Sequence, residues 1–205
     1  MAHYNGSTNS IIRPVFNPYG SPAIRHYQES TCASSAVIRA GDPVTFDTVV
    51  TTHARIVKAP SSQGAVGNLL ENGIRSLVGI ALADSTSDGS TLGQTESTAP
   101  SNDRSKYIPV ALADGLTEFS IQISSVGAAP LQVASSMIGN SYPLEINRTY
   151  NRWFLSSTNL STAADLSIVV THVPFENIGD TGGTVHFKFH STMVHRSVNI
   201  GPSVT

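Results

Sequence analysis

Val37-Ile-Arg-Ala-Gly-Asp-Pro-Val-Thr-Phe46, Leu77-Val-Gly-Ile-Ala-Leu-Ala-Asp84, Tyr107-Ile-Pro-Val-Ala-Leu-Ala-Asp-Gly115 and Phe119-Ser-Ile-Gln-Ile123 decide the fold class. Each run is short, apolar and rich in β-branched residues, and Gly, Pro, Asp and Ser punctuate the breaks. Such a pattern spells the strands and turns of a small β-barrel or sandwich. No catalytic centre is organised around it, so the chain reads as a scaffold or binding protein.

Outward from these runs, further strands are predicted at Ala36–Arg39, Val44–Val50, His53–Ala59, Pro143–Ile146, Trp153–Leu155, Leu166–His172 and Val185–His190. In the last, Val185, Phe187 and Phe189 alternate with His186, Lys188 and His190, the period of a half-buried strand. Leu77–Ala83 is apolar throughout, as in a strand buried on both faces. Helical signals are few. Val66, Leu69, Leu70 and Ile74 fall at helical spacing among Gly64, Gly67 and Gly73, and Ala128–Ile138 is mildly amphipathic. The long polar stretch 84–106 reads as an exposed loop.

Residues 1–30 differ from the rest. Pro14, Pro18 and Pro22 recur every fourth residue, with Tyr4, Phe16, Tyr19 and Tyr27 between them. Proline removes a backbone donor and extends its neighbour, so this segment is predicted to be neither helix nor inner strand. The predicted organisation is an extended N-terminal arm (1–30), a β-rich body (31–195) and a C-terminal tail (196–205). The body is either one unit or two sub-barrels, 31–125 and 126–195. Exposed aromatics call for a cover, either the arm's own domain or a neighbouring subunit. Arg13, Phe16, Tyr19, Arg25 and Tyr27 are the candidate contact residues.

Composition narrows the function. Charged residues make up 13% of the 205, against roughly 25% in typical soluble domains, while Ser and Thr supply 47. Covering hydroxyls and amides costs less desolvation than covering Lys and Glu, which suits a body that packs on a large fixed surface. A net charge of −2 gives no electrostatic pull toward nucleic acid. No apolar run approaches the ~20 residues of a membrane span. Met1–Ser7 has neither the basic nor the apolar region of a signal peptide. Synthesis in a host cytoplasm is the expectation, and with no leader the Asn5, Asn147 and Asn159 triplets carry no glycosylation signal.

The chemical motifs are weak. Cys32 is the single cysteine, so neither an intrachain disulfide nor a thiolate metal site is available. Asp84-Ser-Thr-Ser-Asp88-Gly imitates a calcium loop, but the bidentate Glu falls one residue late, at Glu96. His186 and His190 sit on one strand face about 13 Å apart, too far for one metal ion. Gly-x-Ser-x-Gly, HExxH and Walker sequences are absent. Neither an enzyme nor a cofactor or metal is expected. Trp153, with Tyr142 and Tyr150, could stack a sugar ring or serve as a packed anchor.

Ala40-Gly-Asp-Pro-Val-Thr-Phe46, Val78-Gly-Ile-Ala81 and Ile108-Pro-Val-Ala-Leu-Ala-Asp-Gly115 resemble the head-decoration (cement) proteins of tailed bacteriophages. Gly182-Gly-Thr-Val-His-Phe-Lys-Phe189 is similar to the closing strand of that family. The resemblance covers about 36–124, more weakly 140–190, and rests on turn-and-strand grammar rather than chemical signatures. It implies an all-β, β-tulip-like body on the exterior of a virion. Its partners would be the major capsid protein and further copies of itself, as a homotrimer in preference to a homodimer. The alternatives are another virion part (tail, adaptor or fibre base) and a carbohydrate-binding β module.

Overall fold

The computed structural model describes residues 11–29, 38–46, 55–58, 77–84, 107–123, 132–147, 152–155, 167–190 and 194. They are all-β. Eleven strands run in chain order: β1 (Arg13–Phe16), β2 (Ile24–Glu29), β3 (Pro43–Phe46), β4 (Arg55–Lys58), β5 (Leu77–Ala81), β6 (Tyr107–Leu112), β7 (Glu118–Gln122), β8 (Ser141–Asn147), β9 (Arg152–Leu155), β10 (Ser167–His172) and β11 (Thr184–Phe189). Among the described residues, helix is confined to two 3₁₀ turns, Ser135–Met137 and Phe175–Asn177.

The strands form two ladders. One has the order β1-β7-β11-β10-β8-β9. The other, β2-β4-β3-β5-β6, returns to β2 through its pairing with β6. Its β2–β4 contact is parallel and short, Gln28 opposite Arg55 and Glu29 opposite Ile56. Every other strand pair is antiparallel. The six-stranded ladder also curls back, since Ile123 of the β7 end bridges to Leu155 of β9.

Side-chain period explains the layers. Along β11 buried Val185, Phe187 and Phe189 alternate with half-exposed neighbours, and β7 buries Phe119 and Ile121 in the same way. Phe119, Phe187 and Phe189 pack ring on ring at 5.3–5.8 Å between centroids, spacings at which aromatic pairs add to plain burial. β5 is buried along its whole length. Gly79 is required there because a Cβ would overlap the Ala111 carbonyl of β6. Buried residues of both ladders merge into one apolar cluster.

A turn joins the ladders. Arg39–Asp42 closes with Asp42 N–H donating to the Arg39 carbonyl (2.9 Å), with Gly41 at φ 89°. The Asp42 carboxylate, 2% exposed, accepts the Arg39 N–H at Oδ2 (2.8 Å) and the Trp153 indole N–H at Oδ1 (3.0 Å). A side chain beside β3 is thereby tied to β9, 111 residues away. Ile12 and the side chain of Ile11 lie directly over Gly41.

Several expectations need correction. Residues 13–29 are predicted to hold no inner strand, yet β2 lies between β4 and β6. The reason is positional: β2 contains no proline, and Pro14 sits on the edge strand β1, where a missing N–H breaks no ladder. Gln132–Ala134 and Ser135–Met137 are not the predicted 128–138 helix but an extended stretch and a single 3₁₀ turn. Val133 is held to a second turn instead, through hydrogen bonds to Asp180 and Gly179. Ile38 and Arg39 precede a turn rather than forming a strand. The predicted helical spacing at 61–76, the loop beyond Asp84, Cys32 and Tyr150 lie outside the described residues.

Replacing Asp42 by Ala removes two buried acceptors at once. It should lower unfolding stability by about 2 kcal/mol, read as a fall in the urea midpoint at constant slope. Deleting residues 1–29 removes β1 and β2 and opens the ring of pairings; loss of the cooperative thermal transition is the expected result.

Candidate functional site

Position along β7 fixes the geography. Glu118, at its start, lies opposite Phe16 and Lys188, while Gln122, at its end, lies opposite Thr184. The turns carrying Asn17–Gly20 and Asp114–Thr117 therefore sit at one end of the sheet, and the 173–183 connection sits at the other.

Asn17 clips the first end together. Its buried side chain donates to Thr117 Oγ1 (3.0 Å) and accepts the Tyr19 N–H (2.9 Å). Asp114 Oδ1 in turn accepts the N–H groups of Leu116 and Thr117 (2.9 and 2.7 Å). The turns are thus ordered by their own polar side chains, which leaves their apolar ones free to point outward. Tyr19 is 84% exposed and Phe16 54%, with Val15, Ile24 and Leu116 also uncovered. Of the nine large hydrophobics exposed among the described residues, six lie on or against residues 15–28, counting Tyr107, which pairs with Gln28. This strip is the candidate contact site.

Four of the five candidate contact residues line it in the open: Arg13, Phe16, Tyr19 and Arg25 are exposed. Tyr27 is not. Its ring meets Phe46 edge-on at 5.7 Å, and burial pushes its hydroxyl pKa up despite a hydrogen bond and an opposing charge from Arg25. Tyr27 thereby packs β2 against β3.

A second patch occupies the opposite end, and the sequence contains an unread signal for it. Val133-Ala-Ser-Ser-Met-Ile-Gly-Asn140 and Val173-Pro-Phe-Glu-Asn-Ile-Gly-Asp180 share Val, Ile, Gly and a terminal Asn or Asp at the same places. Both fold as extended–3₁₀–glycine turns, with Gly139 at φ 84° and Gly179 at 89°. The second glycine donates to Val133 of the first turn (2.8 Å). Ile138 and Ile178 are comparably exposed, and Phe175 stands 87% exposed beside them.

Between the two ends, the outer sheet face carries a histidine pair. His172 and His186 are cross-strand neighbours with ring centroids 5.2 Å apart. Burial and then the charge of His172 hold the His186 pKa below its ordinary value, against Glu118 and Glu176. Lys188 pairs with Glu118 at 3.7 Å. Among the described residues no three His, Cys, Asp or Glu side chains converge as a metal cage. No described helix is long and apolar enough to cross a membrane.

Trp153 presents no platform for a sugar. It is 2% exposed, and its indole N–H is bound to Asp42. Tyr142 is buried too, within the same apolar cluster.

No protein family, curated protein or solved structure matches this chain.

The lowered His186 pKa carries a sign. The unfolded chain binds this proton near pH 6.5 while the folded chain resists it to lower pH. Stability is therefore present above pH 6.5 and is lost as pH falls through that window. Urea midpoints at pH 7.5 and 5.5 should differ more for the native protein than for His186→Gln.

Proposed function

We propose that the chain is a structural protein that packs against a large fixed surface, and that this surface is a bacteriophage capsid. The strip of Val15, Phe16, Tyr19 and Ile24 carries the reading. Their backbone is held in place by main-chain pairing and by Asn17, so little backbone entropy remains to be lost when they are covered. Covering Phe16 and Tyr19 fully would contribute roughly 1.5–3 kcal/mol each.

The surroundings favour such a contact. Ser and Thr outnumber charged residues, so the rim gives up water cheaply. A second apolar patch at the far end of the sheet lets one molecule touch two neighbours at once, which is what stapling adjacent capsid subunits requires. A symmetric oligomer, a trimer in this reading, would multiply modest contacts into lasting attachment. The strand-and-turn resemblance to head-decoration proteins gives this surface its name. The role calls for neither catalysis nor a cofactor, and it places the protein on the virion exterior.

A tail, adaptor or fibre-base protein would use the same surface at far lower copy number. The carbohydrate-binding alternative loses its main support, because Trp153 is committed to the core.

Co-sedimentation with expanded, undecorated capsids of the encoding phage tests the proposal. Saturation at hundreds of copies per particle is expected, and Phe16→Ser/Tyr19→Ser should weaken binding by about a hundredfold or more. Saturation at a few copies would point to a tail or vertex component, and no binding would remove the capsid from the picture.

A further inference from the structure

We propose that His172 and His186 form a two-histidine site for a divalent transition-metal ion of the zinc class. The pair is made by a fault in the β10–β11 ladder. Val170 lies opposite Phe187, and unbroken antiparallel pairing would then set Thr171 against His186 and His172 against the buried Val185. Instead one extra residue enters at Thr171, and His172 comes opposite His186. A bulge of this kind interrupts the ladder and re-aims a side chain, and such bulges gather next to functional sites. It has a visible cost: among the described residues the Thr171 hydroxyl is buried without a hydrogen-bond partner.

The spacing of the rings suits one ion. A ring nitrogen lies about 1.1 Å from its ring centre and about 2.1 Å from a bound zinc, which puts the ion about 3.2 Å from each centre. Two imidazoles on one tetrahedral ion then have centres about 5.2 Å apart. The observed separation is 5.2 Å, with the planes inclined at 48°. His186 is half-buried, whereas His172 is exposed and can turn a nitrogen toward the shared position without leaving a packed site. Neither ring is engaged in a hydrogen bond among the described residues.

The ligand chemistry selects the ion. Neutral imidazole suits zinc and its neighbours in the first transition row, whereas calcium and magnesium take oxygen ligands. Two ligands make an open site rather than a closed cage, so water completes the coordination and the ion exchanges readily. The local field favours a cation: the charges of Glu118 and Glu176 both act on His186, and Lys188 on the same strand face is paired with Glu118 at 3.7 Å. The site lies on the outer sheet face between the two apolar ends and uses no residue of the contact strip. It therefore stands whether or not the chain coats a capsid.

Calorimetric titration of the chelator-treated full chain with zinc chloride at neutral pH tests the site. Saturable binding is expected. His172→Gln and His186→Gln should each weaken it by at least about tenfold, while His190→Gln, further along the same strand, should not. An excess of magnesium should not compete. Proton–nitrogen correlation spectra of the native chain read the site without any substitution: zinc should shift the ring nitrogens of His172 and His186 together. No saturable binding, binding that survives both substitutions, equal competition by magnesium, or a shift at fewer than both rings would each overturn the assignment. Capsid co-sedimentation is not read in this experiment, so the two proposals fail separately.

Discussion

The hydrogen bond from the Trp153 indole to the Asp42 carboxylate is the interaction on which the rest of the architecture depends. A carboxylate 2% exposed is costly unless its oxygens are occupied. Here one oxygen closes the turn before β3 and the other reaches β9 of the opposite ladder. The turn must also accept Ile12 against Gly41, where any side chain would strike the Ile12 amide nitrogen. One short segment therefore fixes β3, β9 and the entry to β1 relative to each other. The apolar cluster supplies most of the driving force, but it is non-directional; the carboxylate supplies the angle and register at which the ladders meet.

That rigid junction changes the meaning of the exposed N-terminal strip. Surface hydrophobics scattered singly are ordinary. Six of nine gathered along one backbone-held segment and its immediate neighbours are not. Asn17 and Asp114 satisfy the backbone of the two turns from within, so Tyr19 and Leu116 are not needed to hold them.

Much of the fold is legible in the sequence because the strands are separated by strong punctuation. The runs at 77–81, 107–112 and 184–189 appear where β-branched content and period predict them. The N-terminal segment misleads because three prolines colour a stretch of thirty residues, although proline constrains only itself and the residue before it. Ile24-Arg-His-Tyr-Gln-Glu29 lies beyond that influence and alternates too weakly to stand out as a strand. Its place depends on β4 and β6, which local reading cannot supply. Of the candidate contacts, Phe16 and Tyr19 are readable as aromatics without a helix or core run to join. Tyr27 is half-buried because Phe46, from a different strand, packs on its ring.

The duplicated turns supply an internal control on the second patch. Val133–Asn140 and Val173–Asp180 reach the same backbone conformation with Ser135 and Phe175 at equivalent first positions of the 3₁₀ turn. Serine meets every local requirement there, so the fold has no need of a phenyl ring. Ile138 and Ile178, by contrast, are the same residue at similar exposure in both turns. An exposed isoleucine is thus common to the motif, while Phe175 is an addition to one copy. Phe175, 87% exposed at the tip of a hydrogen-bonded turn, is therefore a large apolar side chain that neither the local geometry nor the core requires.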